Sequence, residues 1–168
     1  MVEQFVELVR EYLALVDGLP GLSARDFLLR CAILLPQLYS LSHQLPDIVL
    51  PDSDPLEGKE AAITSPMANI MNLLGKYDLY SEVFDPVSEE EAIKATLSDD
   101  LSDIYADLKR SLLRYESEEG PNQLIAVWEW KFQMKIHWGH HVVGALHPIH
   151  SLVYDHLDPE CLDGESDL

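Results

Sequence analysis

"WEWKFQMKIHWGHHVVGALHPIH", Trp128–His150, holds all three tryptophans and five of the seven histidines of the chain. How it is read decides the fold. Advancing about 100° per residue from Trp128 puts Trp128, Phe132, Ile136, Val143 and Leu146 on one arc. Val127, Trp130, Met134, Trp138 and Ala145 fall on a second, separate arc, with Glu129, Gln133, His137, His140 and His147 as a polar stripe between them. A helix apolar on two sides is ordinarily a central one with neighbours on both faces. The stretch therefore predicts a long C-terminal helix at the centre of the fold, its tryptophans in the core.

Working outward, the other segments also read as helices. Val2, Phe5, Val9, Tyr12, Leu13 and Val16 recur at helical spacing until "DGLPG" (17–21) stops the run. Ser23 and Asp26 form a capping box ahead of a second helix that reaches about Gln44, with a kink expected at Pro36. Ser65 and Pro66 open a third helix. The clearest stripe is Leu97, Leu101, Ile104, Tyr105, Leu108, Leu112 and Tyr115. Asp99 and Asp100 sit at its start, and Lys109, Arg110 and Arg114 toward its end, as the helix dipole favours. No internal repeat and no strand with clean alternation is found. The expectation is an all-α, single-domain bundle of five or six helices over residues 1–157. Residues 46–65 read as a long loop and 158–168 as an acidic, flexible tail.

Composition narrows the function classes. At 47% hydrophobic, the chain is globular rather than disordered. Thirty acidic against eleven basic residues give a net charge of −19. Such a surface repels nucleic-acid phosphates and anionic lipids, which argues against direct binding to either and favours a basic protein partner. Mimicry of DNA toward such a partner follows from charge alone. The opening "MVEQFVELVR" has no basic leader before an apolar core, and no apolar run is long enough to span a bilayer, so a cytoplasmic location is expected. Cys31 and Cys161 have no paired-ligand spacing, and Cys31 in "LLRCAILL" reads as a small core residue.

The histidines carry the chemical question. His137 and His141 are spaced to point at one ion from adjacent turns, with a third ligand from His43, Asp103 or Asp107. This spacing resembles the three-histidine metal site of DinB-like four-helix bundles, which implies a divalent metal such as zinc or nickel and a hydrolase or transferase activity. The bland alternative is a polar face of histidines bonded to carboxylates or water. His147 and His150 flank Pro148, which should kink or end the helix, and are not a chelating pair. Asp99, Asp100, Asp103 and Asp107 read as dipole-favoured, solvated or ion-paired residues, with Asp107 reaching Arg110. No His-Glu-x-x-His, Glu-x-x-His, Gly-x-Ser-x-Gly or Gly-rich phosphate loop is present. A pH switch at the histidines is open but not selected.

Three segments in order, "YDLYSEVFDP" (77–86), "LSDDLSDIYADLKRSL" (97–112) and the opening stretch, resemble the bacterial domain-of-unknown-function family numbered 5063. The resemblance implies an α-helical domain and assigns no catalytic residue. The leading expectation is a non-catalytic cytoplasmic protein that acts through protein–protein contact, with a homodimer as one form and no cofactor. The alternative is a metal-binding bundle using His43, His137 and His141, with Asp103 and Asp107 as further ligands.

Overall fold

A computed structural model describes residues 1–50, 62–83, 85, 87–88, 91–117 and 121–157. Most of the expected loop (51–61) and the expected tail (158–168) lie outside them. The helices are α1 (Val2–Asp17), α2 (Ala24–Ser42), α3 (Met67–Leu74), α4 (Leu97–Tyr115), α5 (Asn122–Ile136) and α6 (Trp138–Ser151). A wide π turn, Leu152–His156, prolongs α6. The all-α expectation holds, and no described helix is long and apolar enough to cross a membrane.

α4 is the axle. Its apolar stripe, Leu97, Leu101, Ile104, Tyr105 and Leu108, is buried against α1, α3, α5 and α6. Hydrogen bonds tie large aromatics to this helix: Tyr12 Oη donates to the Leu101 carbonyl (2.8 Å) and Trp130 Nε1 to the Leu108 carbonyl (3.3 Å). Trp138 Nε1 donates to the Trp130 carbonyl (3.1 Å), and Phe5 lies edge-on to Trp130 at 5.3 Å. Each aromatic buries its ring while its polar atom is satisfied, so no desolvation penalty remains. Cys31 is fully buried in the same core, where burial pushes its thiol pKa up.

Ser23 caps α2 as read, its Oγ accepting from Asp26 N at 3.0 Å, while the Asp26 carboxylate accepts from the Ser23 hydroxyl at 2.7 Å rather than from the Ser23 backbone N–H of a full capping box. α2 then runs as one helix through Pro36, and the Gln37 side-chain amide donates to the Ile33 carbonyl at 2.8 Å.

Four features differ from the sequence reading. A two-stranded antiparallel hairpin, β1 (Leu79–Glu82) with β2 (Ile93–Thr96), stands where only a structured connection was expected. Four-residue strands are too short to show an alternating pattern. The hairpin delivers a remote cap for α4: Asp78, just ahead of β1, accepts from Ser98 N (2.7 Å) and Ser98 Oγ (2.8 Å). A carboxylate at a helix N-terminus satisfies free N–H groups and favours the dipole.

The stretch that begins at Trp128 is not one helix. The chain breaks at His137, which ends α5 and starts α6. Nor is it apolar-packed on both sides: Trp130, Met134, Trp138 and Ala145 are buried, whereas Phe132, Ile136 and Val143 on the other arc are 41–56% exposed. The neighbours of α5, namely α4, α6 and α2, pack against its buried arc, and the other arc faces outward. Pro148, expected to kink or end the helix, lies inside α6 and within one turn of its end.

Gly139 makes the break workable. A Cβ there would stand 2.1 Å from the Met134 carbonyl oxygen, so only glycine lets the first turn of α6 press on the last turn of α5. Gly139→Ala should cost about 1–3 kcal/mol, a drop in melting temperature readable by circular dichroism. A variant as stable as the parent would show that the joint tolerates a wider spacing.

Candidate metal centre

Asp100, Asp103 and Asp107 recur at spacings of three and four and so share one face of α4. That face meets the α5–α6 joint. Because His137 lies at the joint and His141 one turn into α6, both imidazoles reach the carboxylate row. The rings stand 4.9 Å apart, edge to face.

Each ring is held from behind by a buried carboxylate. His137 Nδ1 lies 2.7 Å from Asp107 Oδ2, and His141 Nδ1 lies 2.8 Å from Asp100 Oδ1. Asp107 and Asp100 are only 6% and 5% exposed, so each needs a partner for its charge. A carboxylate accepts, so Nδ1–H donates in both rings and the Nε2 lone pairs are directed elsewhere.

Both Nε2 atoms face Asp103. His141 Nε2 is 3.3 Å and His137 Nε2 is 3.8 Å from Asp103 Oδ2. Asp103, His137 and His141 thus offer three ligand atoms within 4.8 Å of one another. For an ion bound at about 2.0–2.1 Å, donors at tetrahedral angles stand about 3.4 Å apart. The two Asp103–histidine distances, 3.3 and 3.8 Å, lie close to that spacing.

The support extends one layer further. Tyr80 Oη, on β1, donates to Asp100 Oδ2 at 2.7 Å and lies 3.3 Å from Glu82 Oε2. Burial and the Asp100 bond push the phenol pKa above its ordinary value, so it stays a donor. Arg110 completes the other end, with Nη1 3.2 Å from Asp107 Oδ1. Asp103 and Asp107, at i, i+4 on α4, each face one nitrogen of the His137 ring.

Of the ligands expected from sequence, His137, His141 and Asp103 are brought together. Asp107 supports His137 rather than facing the same point as the other three. His43 takes no part in the cluster: it is exposed at the end of α2 with its ring against Tyr39 at 4.9 Å. Asp100 and Tyr80 were missed as functional residues. Asp100 was legible in the three-and-four spacing of the aspartates, whereas nothing local marks Tyr80. His140 and His147 point to solvent.

The hydrogen bond to Asp100 raises the His141 pKa above the ordinary imidazole value, with the charges of Asp100, Asp103 and Asp99 adding to it and burial opposing. The stability from this pairing is complete below the unfolded imidazole pKa, about 6.5. It is lost as pH rises through the higher folded value. Asp100→Asn should move the His141 titration back toward that of an ordinary imidazole. An NMR pH titration reads this directly, and an unmoved titration would assign the shift to another group.

Comparison with known proteins adds fold but no chemistry. The model of the family described as Domain of unknown function (DUF5063) matches residues 1–155. No curated protein matches the chain. The crystal structure of protein BF1032 from Bacteroides fragilis is similar over 92% of each chain, with a TM-score of 0.77 and 21% identity. At that identity the likeness speaks for the fold alone.

Proposed function

The chain belongs to the DUF5063 family, and from its side-chain geometry we propose that it is a metal-binding helical bundle. Asp103, His137 and His141 hold one divalent ion. The reading rests on one observation: both imidazoles have Nδ1 engaged by buried carboxylates and Nε2 turned toward the Asp103 carboxylate. Carboxylate–histidine pairs of this kind fix the tautomer and raise ligand basicity at metal sites. Two imidazoles and one carboxylate leave coordination positions open for water or a substrate oxygen. An ion held by these residues would supply Lewis-acid polarisation of that oxygen, as in metal-dependent hydrolases and transferases. Zinc or nickel suits the imidazole pair. Asp107, Asp100 and Tyr80 act as positioning residues, and His43 is not a ligand.

A second reading, a non-catalytic protein acting through protein–protein contact in the cytoplasm, is supported by two features. One is the exposed apolar arc of α5. The other is the net charge of −19, which would draw a basic partner.

The metal reading is tested on protein purified without a histidine tag, by elemental analysis and by calorimetric titration with zinc and with nickel. One equivalent should bind. Asp103→Ala and His141→Ala should abolish binding, His43→Ala should leave it intact, and Asp107→Asn should weaken it about 10–100-fold. Wild-type protein that takes up neither ion would end the proposal.

A further inference from the structure

The two imidazoles stand among more negative charge than one divalent ion offsets. Asp103 faces both rings, and Asp100 holds His141 from behind. Asp99, exposed in the first turn of α4, adds its charge at His141. Glu82 arrives from the hairpin. Its Oε2 lies 3.3 Å from Tyr80 Oη, and its Oε1 rests so close to α6 that a Cβ at Gly144 would stand 2.5 Å away. Gly144 is three residues beyond His141, so the absent side chain is what admits this carboxylate beside the same stretch of α6. Asp107 is a further carboxylate, but it has a cation of its own, Arg110 at 3.2 Å.

The remaining cations of the surrounding elements are engaged elsewhere. Lys109 pairs with Asp17 at 3.6 Å and Arg114 with Glu129 at 3.1 Å. Lys131 pairs with Asp47 at 2.7 Å, and Lys135 adds its charge at the same carboxylate. Lys94 bonds Ser81 at 2.8 Å. Because side chains alternate along a strand, that pair lies on the face of the hairpin opposite Tyr80 and Glu82. α6 contains no lysine or arginine. Among the described residues, then, no lysine or arginine pairs with Asp99, Asp100, Asp103 or Glu82.

Charge decides what the open coordination positions accept. A metal-bound imidazole is neutral, so the histidines offset nothing once an ion is held. A divalent ion cancels half of the charge on those four carboxylates and leaves the surroundings negative. The side chains of Asp103 and His137 are 41% and 44% exposed, so an incoming ligand reaches the ion from solvent through this field. We propose that the exchangeable ligand of the site is an uncharged oxygen, the carbonyl of an amide or ester, and that phosphate esters and carboxylates are excluded by like charge. The inference rests on the metal reading given above, and it names the substrate class.

The test uses the full chain at pH 8 and about 50 mM salt, where screening is weak, loaded with one equivalent of zinc or nickel, whichever binds tighter. Elemental analysis checks the loading. Calorimetry then measures the binding of acetate and azide, as anions, and of imidazole, as a neutral donor. Relative to the aqueous ion, the protein-bound ion should lose at least about tenfold in affinity for both anions and keep its affinity for imidazole within about threefold. Asp99→Asn and Glu82→Gln each remove one charge with little change of size. Each should strengthen acetate and azide binding about threefold to tenfold, weaken binding of the ion and leave imidazole unmoved. A purely structural role would weaken binding of the ion without any gain for the anions, and that result would overturn the proposal. Should Glu82→Gln fail to fold, Asp99→Asn, at an exposed position, answers alone. Loaded protein that binds the anions as the aqueous ion does would overturn the substrate class and leave the metal reading standing. Protein that takes up neither ion would overturn both.

Discussion

Two buried carboxylates on one helix constrain everything near them. Asp100 and Asp107 sit on α4 with almost no access to water, where an unpartnered charge costs several kcal/mol. Their partners are imidazoles from the α5–α6 joint, reinforced by Tyr80 from the hairpin and Arg110 from the next turn of α4. Satisfying those two groups fixes the rotation of α6 against α4 and the placement of the hairpin. It also fixes which nitrogen of each histidine remains free. The geometry of the candidate site is therefore a consequence of how the fold disposes of buried charge.

The break at His137 is what makes that arrangement reachable. In an uninterrupted helix, residues at 137 and 141 would share a face and a single phase with everything from Trp128 onward. Starting a new helix at Trp138 lets the buried arc of α5 face Trp130 into the core, while α6 independently sets His141 toward Asp100. Trp138 closes the joint from inside through its bond to the Trp130 carbonyl, and Gly139 supplies the clearance. Scaffold and candidate chemistry meet at the same few residues, so the joint is where changes to one are felt by the other.

The similarity to a Bacteroides fragilis protein at 21% identity shows how tolerant this bundle is of sequence change. What such a fold needs is a phased apolar stripe on each helix and satisfied ends, conditions that many sequences meet. An outward surface is freer still. The outer arc of α5 faces away from α4, α6 and α2, and the chain leaves it apolar and free of exposed carboxylate in an otherwise acidic molecule.

By itself the sequence determined the helical class, the start of α2 at Ser23, the α4 stripe, and the His137–His141 pair as candidate ligands, with His43, Asp103 and Asp107 all open as the third. These are local or periodic properties: phase within a helix, a cap three residues away, ligand types at i, i+4. Only the tertiary structure decided which of two apolar arcs is covered, because periodicity gives a helix its faces but not its neighbours. It likewise decided that Asp103 rather than His43 joins the histidine pair, and that Asp78 caps α4 from across the hairpin. Those choices join residues far apart in the chain. They are set by where backbones pass one another and by the need to partner each charge that packing removes from water.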